Sequence, residues 1–290
     1  MTKRHLTIAR PHGAPPMVAA VKAGWQRGVI ELRQSFTNAQ DLFGQLFWPV
    51  ILLVVLFFMR DSTFAGFSLG TLMLPSAVGM AVALTGMMGM SGTLAVDRED
   101  GTLLRAKATP NGMVGYLLGK IVVVAGWVLA GVVILLVPGT FLVDGVEIDV
   151  LTLLWVVTLG IVATLPLGAV IGCLIGTPRS QGLLMLPLMG LIAISGIFYP
   201  ITAMPAWLAV VAQVFPVYWL GLGVRSAVLP DTAAAIELTE TWRHLPTVGV
   251  LTAWAALGLL LAPLVLRRMA RRESGSGVAA RRERAMRRIG

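Results

Sequence analysis

Residues 95–110 read AVDREDGTLLRAKATP, and this charged stretch lies between two long apolar runs, 69–95 and 113–137. Each run is long enough to cross a hydrocarbon core of about 30 Å, which takes about 20 apolar residues in a helix. The stretch carries acids and bases in equal number, namely Asp97, Arg98, Glu99, Asp100, Arg105 and Lys107. The pattern therefore predicts two membrane-spanning helices joined by a short charged connection.

The same apolar pattern recurs along the chain of 290 residues, of which 57% are hydrophobic and 13% are charged. This is the composition of an integral membrane protein. We predict six spans, at 42–59, 69–95, 113–137, 151–176, 183–198 and 247–266. The fifth is short and continues into an apolar region, 199–228, which Pro200, Pro205 and Pro216 interrupt. The expected protein is all-α, with a cytoplasmic segment at 1–40, a six-helix transmembrane domain at 41–266 and a basic, disordered tail at 267–290.

Basic residues indicate which side of the membrane each connection faces, because cytoplasmic loops are enriched in lysine and arginine. With six spans, 20 of the 23 lysines and arginines fall on the side that holds both chain ends and the 96–112 connection. The opposite side holds three bases and seven of the 14 acids. We therefore expect both termini in the cytoplasm. We also expect no cleaved signal peptide, because the first forty residues lack its apolar segment.

The segment 17–39 carries apolar residues at helical spacing, with most of its polar residues off that stripe. The stripe consists of Val18, Val21, Trp25, Val29, Leu32 and Phe36. We expect an amphipathic helix that lies in the membrane interface before the first span. Packing on a soluble core is the alternative, but the chain has no soluble domain for it to pack on.

Within the charged stretch, Asp97 is expected to cap the N-terminus of a short helix lying across the ends of two spans. Glu99 and Asp100 would occupy its first turn, where the helix dipole favours negative charge. Gly101 indicates either a helix end or the close approach of another backbone, since glycine is unfavourable inside a helix. An ordinary polar loop is the alternative to this short helix.

Two further features of the stretch bear on its surroundings. Pro110 is expected to stop the short helix before the third span begins. Leu103 and Leu104 would be exposed apolar residues unless a partner or the lipid surface covers them.

Two spans carry recognisable packing patterns. The fourth has a small residue at every fourth position, namely Gly160, Thr164, Gly168, Gly172 and Gly176. Such a stripe lets another helix approach closely, and we favour packing within the subunit over a role in a dimer. The second span has a seven-residue series, Met73, Met80 and Met87, which we expect to fill packing gaps rather than to contact substrate.

Several site types are missing from the sequence. The segment 112–120, GMVGYLLGK, lacks both the first glycine of a phosphate-binding loop and the serine or threonine after the lysine. We find no cluster of metal ligands. The predicted spans carry no ionisable residue away from their ends, whereas ion-coupled carriers usually need one. We therefore expect no enzyme activity, no metal and no cofactor in this chain, and an apolar or amphipathic substrate if it transports one.

Together these residues resemble the permease subunits of type-2 ABC transporters, the group that includes daunorubicin-resistance-like exporters. The resemblance covers most of the chain. Its most specific part is the charged stretch, where Asp97, Arg98, Glu99, Gly101, Thr102, Leu103, Pro110, Gly119 and Lys120 match the family pattern. In that family the segment is the coupling helix, which docks on a separate ATPase subunit. The resemblance assigns this role to Asp97, Arg98, Glu99, Asp100, Gly101, Thr102 and Leu103. Leu104 departs from the pattern, since many relatives have an acid there.

A second match implies a re-entrant helical hairpin, which dips into the outer leaflet after the fifth span. The matching residues are Ser195, Gly196, Phe198, Pro200, Pro205, Ala206, Trp207, Leu208, Pro216 and Arg225. Such an element is tolerated at membrane depth only where protein protects its backbone. It would account for the ambiguous region after the fifth span.

The resemblance implies a permease subunit of an ATP-driven exporter in the bacterial plasma membrane. Its partners would be two ATPase subunits, which bind the ATP and magnesium, a second permease copy in a homodimer, and membrane lipids, but no nucleic acid. In the family, the first and fifth spans form the subunit interface. The substrate would be drug-like or lipid-like, as in multidrug efflux and antibiotic resistance. The alternatives are export of a polysaccharide or glycolipid precursor, an ATPase-independent carrier or channel, and a scaffold that transports nothing.

Overall fold

The computed structural model describes residues 16–64, 66–109, 111–174, 181–196 and 201–272. This part of the chain is almost entirely helical, with one two-residue hairpin, β1 (Thr63–Phe64) and β2 (Phe67–Ser68). The helices in chain order are α1 (Pro16–Ser35), α2 (Ala39–Met59), α3 (Leu69–Leu84), α4 (Met90–Glu99), α5 (Thr102–Lys107), α6 (Gly112–Leu142), α7 (Val150–Leu174), α8 (Gln181–Ile194), α9 (Ala206–Val214), α10 (Pro216–Val228) and α11 (His244–Arg272).

Five helical segments are long and apolar enough to cross a membrane, namely Ala39–Met59, Leu69–Glu99, Gly112–Leu142, Val150–Leu174 and His244–Met269. The pair α9 and α10, bent by 90°, adds a sixth if it is counted as one broken span. The prediction of an all-α polytopic membrane protein is confirmed. The expected fifth span is shorter than predicted, because α8 has 14 residues and reaches only about 21 Å at 1.5 Å per residue.

The second span is continuous but irregular. Between α3 and α4 it passes through a five-residue π-helical turn, Thr85–Gly89. Such turns widen a helix locally and occur often at functional sites. The turn places Met87 and Met88 at about the middle of the 31-residue segment.

The small-residue stripe of α7 lies against this second span of the same chain. A Cβ added at Gly168 would lie 2.5 Å from the carbonyl oxygen of Met87, and one added at Gly172 would lie 2.8 Å from the Cα of Ser91. These distances leave no room for a side chain. The stripe therefore brings two backbones together, as expected for packing within the subunit.

The N-terminal part of the same stripe, Gly160 and Thr164, packs against side chains. A Cβ added at Gly160 would lie 2.5 Å from Cδ1 of Leu220 on α10. Thr164 is buried, and its hydroxyl donates to the carbonyl of Gly160 at 2.8 Å. Gly176, the last predicted member, lies outside the described residues.

The bundle has two chemically different ends. The basic end holds α1, α5, the first turns of α6 and the last turns of α11, where Leu266 and Met269 join Leu103 in one apolar cluster. The acidic end holds the connections that carry Asp61, Asp144, Glu147, Asp149, Asp231, Glu237 and Glu240. A larger apolar cluster, built from α3, α6, α7, α10 and α11, fills the bundle toward the acidic end.

The helix α1 packs on α6 through paired glycines and through one end of its apolar stripe. Gly24 and Gly28 face Gly115 and Gly119, and a Cβ added at Gly28 would lie 2.7 Å from the carbonyl oxygen of Gly119. At that end Leu32 lies against Gly126 and Phe36 against Trp127. The first half of the stripe is exposed, with Trp25 57% exposed. An exposed apolar stripe on a helix beside the first span is the arrangement expected of an interfacial helix.

Candidate coupling site and adjoining cavities

The structure contradicts the prediction that Asp97 caps a helix. Asp97 lies near the C-terminal end of α4 and is 7% exposed. Its Oδ2 accepts a hydrogen bond from the Tyr116 hydroxyl at 2.8 Å and lies 2.9 Å from Nζ of Lys120. A buried carboxylate needs such donors. Both donors are on α6, and α4 continues as helix for two residues past Asp97, to Glu99.

The short helix of the charged stretch is α5, and it begins at Thr102. Gly101 precedes it with φ of 80°, in the left-handed region that glycine adopts without steric cost. The Thr102 backbone N–H donates to Oδ1 of Asp100 at 3.2 Å. The carboxylate at the start of α5 is therefore that of Asp100, and Glu99 is the last residue of α4. Of the two expected roles of Gly101, the structure shows the helix end.

The expected exposure of Leu103 is also wrong. Leu103 is 2% exposed and packs in a cluster with Met90 and Leu94 of α4, Tyr116 of α6 and Leu266 of α11. Burial of a leucine side chain contributes about 1.5–3 kcal/mol. The apolar side of α5 is therefore covered by the protein itself, and α5 is anchored to three other helices.

The opposite side of the same segment is open. Glu99, Asp100, Arg105 and Lys107 are exposed, while Arg98 and Leu104 are half-buried. The exposed charges have both signs within one short segment. This face can therefore make ion pairs with a partner surface that also carries both signs. Pro110 lies outside the described residues.

A buried group of charges, which we call the basic-end cluster, lies behind this segment. It consists of Glu31 on α1, Asp97 on α4, and Tyr116 and Lys120 on α6. Nζ of Lys120 lies 2.5 Å from Oε1 of Glu31, and the lysine side chain is 5% exposed. The cluster thus ties α1, the second span and the third span together. Sequence reasoning named Lys120 only as part of the family pattern and missed the cluster.

A cavity of about 810 Å³ opens beside the basic-end cluster. One wall is polar and comes from the end of α1 and the start of α2, including Gln34, Asn38 and Asp41. The other wall is largely apolar and comes from the second and third spans, including Met88 and Val124. The cavity is therefore amphipathic.

At the acidic end, α9 and α10 form the bent pair at the position of the predicted hairpin. The chain turns by 90° between them, at Phe215 and Pro216. Pro205 occupies the N-cap position of α9, and Trp207 in its first turn is 67% exposed. A bent pair of this kind fits either a broken span or a re-entrant element.

The same region contains a second buried charge group, the acidic-end pair. Nε of Arg225 donates to Oε1 of Glu237 at 2.6 Å, and both side chains are 6% exposed. Nη1 of Arg225 also donates to the carbonyl of Gly196 at 3.3 Å. Ser195 is buried beside it, with its hydroxyl donating to the carbonyl of Ile192 at 2.7 Å. Phe198 and Pro200 of the predicted hairpin lie outside the described residues.

A smaller cavity of about 310 Å³ lies between the π-helical turn, α7, α8, α11 and the joint of α9 and α10. Met87, Met88 and Trp254 are among its lining residues. Met87 therefore borders a cavity as well as packing on α7. Within the described residues, no group of three or more histidine, cysteine, aspartate or glutamate side chains is placed to hold a metal ion.

Comparison with known proteins agrees with this architecture. A search of curated proteins gave no match. The sequence model of the ABC-2 type transporter family matches residues 20–229, which include most of α1, the charged stretch and the bent pair. The permeases of this family work with separate ATPase subunits. The match covers more than half of the chain, and the protein therefore belongs to the ABC-2 type transporter family as a membrane permease component.

Proposed function

We propose that this chain is the permease of an ATP-driven exporter that moves a hydrophobic or amphipathic molecule out of the cytoplasm or the inner leaflet. The basic end faces the cytoplasm of a bacterial cell, because 20 of 23 lysines and arginines lie on that side. Two copies of the permease form a homodimer that works with two ATPase subunits.

The observation that carries the proposal is the two-sided setting of α5. Its buried side, with Leu103 and Ala106, is packed among the spans, and its other side presents exposed charges at the basic end. A movement of a docked ATPase would therefore be transmitted directly to the helices that pack on Leu103. A plain loop would not be anchored in this way.

The substrate class follows from the interior of the bundle. The smaller, apolar cavity offers hydrocarbon contact, and the amphipathic cavity at the basic end offers both polar and apolar contact. A strongly hydrophilic substrate would have to leave water without replacement hydrogen bonds in the apolar cavity. These two cavities favour an amphiphile.

Transport in inside-out vesicles tests the proposal. The permease is reconstituted with a candidate ATPase, and uptake of a fluorescent lipophilic dye is followed with and without ATP. Uptake is expected only with ATP and a functional ATPase, and is expected to stop when the phosphate-binding lysine of the ATPase is replaced. Uptake driven by a proton gradient in vesicles without an ATPase would contradict the proposal.

A further inference from the structure

The cavity at the basic end has the features of a binding site for one class of molecule. Its volume of about 810 Å³ falls within the range of small-molecule pockets, about 300–1,000 Å³. On the second span it extends from Asp97 back to Thr85, a distance of 12 residues, which corresponds to about 18 Å of helix. It therefore extends from the membrane surface into the hydrocarbon region.

The two walls match the two parts of an amphiphile. The polar wall, from α1 and the start of α2, includes the side-chain amides of Gln34, Gln40 and Gln45, which have no hydrogen-bond partner among the described residues. The facing wall contains Met88 and Val96 of the second span. A head group on the first wall would leave its hydrocarbon tail against the second.

The charges that line the cavity indicate the sign of the head group. They are the three carboxylates of Glu31, Asp41 and Asp97 and the single ammonium of Lys120. Nζ of Lys120 lies between Glu31, at 2.5 Å, and Asp97, at 2.9 Å, so that its positive charge is already shared by two carboxylates. The basic side chains of Arg27, Arg33 and Arg98, on the same helices, are not among the lining residues. The lining therefore has a surplus of negative charge, which favours a cation.

The walls also leave space for an occupant at two glycines. A Cβ added at Gly44 on α2 or at Gly92 on α4 would meet no atom within 4 Å. Both glycines line the cavity, from opposite walls. A Cβ could therefore be added at either position without a clash, and a longer side chain would extend from it into the cavity space.

We propose that this cavity binds an amine-bearing amphiphile, with the ammonium group at Asp41 and the basic-end cluster and the tail along Met88 and Val96. This inference rests on the proposed export function and names the substrate class for it. Anionic amphiphiles are disfavoured, because their head groups would face the surplus carboxylates.

Photo-crosslinking to the full-length chain in lipid nanodiscs, without ATPase or ATP, tests the site. The probe is a fatty amine with a diazirine in its alkyl chain, and the competitors are an alkylamine, a zwitterionic phosphatidylethanolamine and an alkyl sulfonate with tails of equal length. Mass spectrometry is expected to find the label on peptides of α2 and α4. The alkylamine is expected to displace it about tenfold better than either other competitor. Equal displacement by the sulfonate or by the zwitterionic lipid would overturn the inference.

Filling the cavity sharpens the test. Gly92→Leu and, independently, Gly44→Leu are expected to lower labelling about tenfold. Gly131→Leu on α6 is the matched control, because a Cβ there also meets no atom within 4 Å and Gly131 does not line the cavity. Asp41→Asn is expected to reduce the preference for amine over sulfonate. Unchanged labelling in both filled variants, each checked for normal size-exclusion behaviour, would show that the cavity is not the site.

The outcomes separate this inference from the proposed function. If the native chain shows no specific labelling at the cavity but still supports ATP-driven dye export, the proposed site is wrong and the exporter function stands. If the cavity is labelled specifically but no ATP-driven export occurs, the exporter function is wrong and the proposed binding site stands.

Discussion

The two buried charge groups of this protein differ in size, solvent access and setting. The acidic-end pair is a one-to-one contact of Arg225 and Glu237, with both side chains 6% exposed. In the basic-end cluster one lysine contacts two carboxylates, and Glu31 remains 33% exposed beside an open cavity. The first group is sealed by protein, whereas solvent reaches the second.

This difference in solvent access predicts a difference in energetic cost when the contacts of each group are broken. Breaking a sealed pair leaves a charge with no water to replace its partner, which costs several kcal/mol. Breaking a partly wet pair costs less, because water solvates the freed groups. We therefore expect the acidic-end pair to hold the bent helix pair and its loop in one arrangement, and the basic-end cluster to be the group whose contacts can rearrange.

The largest predicted effect comes from breaking the sealed pair. Glu237→Gln leaves the Arg225 guanidinium buried without its carboxylate, and we expect a loss of about 3–5 kcal/mol in unfolding free energy. Thermal unfolding in detergent measures it, with exposed Glu240→Gln as the control. The double variant Arg225→Met, Glu237→Leu is expected to recover most of the loss, since an apolar pair needs no counter-charge. A Glu237→Gln variant as stable as its control would contradict the fixed role of the pair.

The second effect is smaller because solvent reaches Glu31 and the Tyr116 hydroxyl still donates to Asp97. Lys120→Met removes the partner of Glu31 and Asp97, and we expect a loss of about 1–3 kcal/mol. Lys22→Met, an exposed lysine on α1, serves as the control in the same unfolding assay. A larger loss of unfolding free energy for Lys120→Met than for Glu237→Gln would contradict the prediction that the acidic-end pair contributes more to stability.

The third effect concerns the turn into α5. Gly101→Ala places a side chain at φ of 80° and is expected to destabilise the segment by about 1–2 kcal/mol. Gly101→Asn is expected to be milder, because asparagine tolerates the left-handed region. Gly131→Ala, in a helix with open space, controls for the added methyl group. Amide hydrogen exchange in α5 measures the effect. Equal protection from exchange in Gly101→Ala, Gly101→Asn and the native protein would contradict the prediction.

The smallest effect lies at the start of α7. The hydroxyl of Thr152, with help from its backbone N–H, lowers the pKa of Asp149 below 3.8. A lowered folded-state pKa adds stability that is present above the unfolded pKa and is lost as the pH falls through the folded value. In thermal unfolding, the Asp149→Asn variant should therefore unfold at a slightly lower temperature than the native chain at pH 7. Below the lowered pKa, the two proteins should unfold at the same temperature. A difference that grows on acidification would contradict this assignment.

The local features of the fold could be predicted from the sequence, because they depend on neighbours along the chain. Apolar runs of 20 residues produced the long helices, and Gly101 marked a helix end. Asp97 and Leu103 were misplaced because their partners, Tyr116 and Leu266, are on later spans. Their burial is therefore a tertiary property.

The packing of α1 on α6 and the Glu31–Lys120 contact both had a signal in the sequence that the predictions did not use. Gly24 and Gly28, and likewise Gly115 and Gly119, are each four residues apart, which is the spacing that allows close helix contact. This pairing would have placed Glu31 near Lys120, since each lies within one turn of a paired glycine. The cavity had no such signal, because its walls come from four separate helical segments.

The central claim is that the exposed face of Arg98–Lys107 docks the ATPase, and co-purification tests it most directly. Glu99→Arg reverses an exposed charge at the end of α4, and Asp61→Arg makes the same reversal at the acidic end as the control. The claim predicts that Glu99→Arg lowers ATPase recovery about tenfold or more per permease in the membrane. Asp61→Arg is expected to leave recovery unchanged. Equal recovery with both variants, at equal permease levels, would contradict the claim.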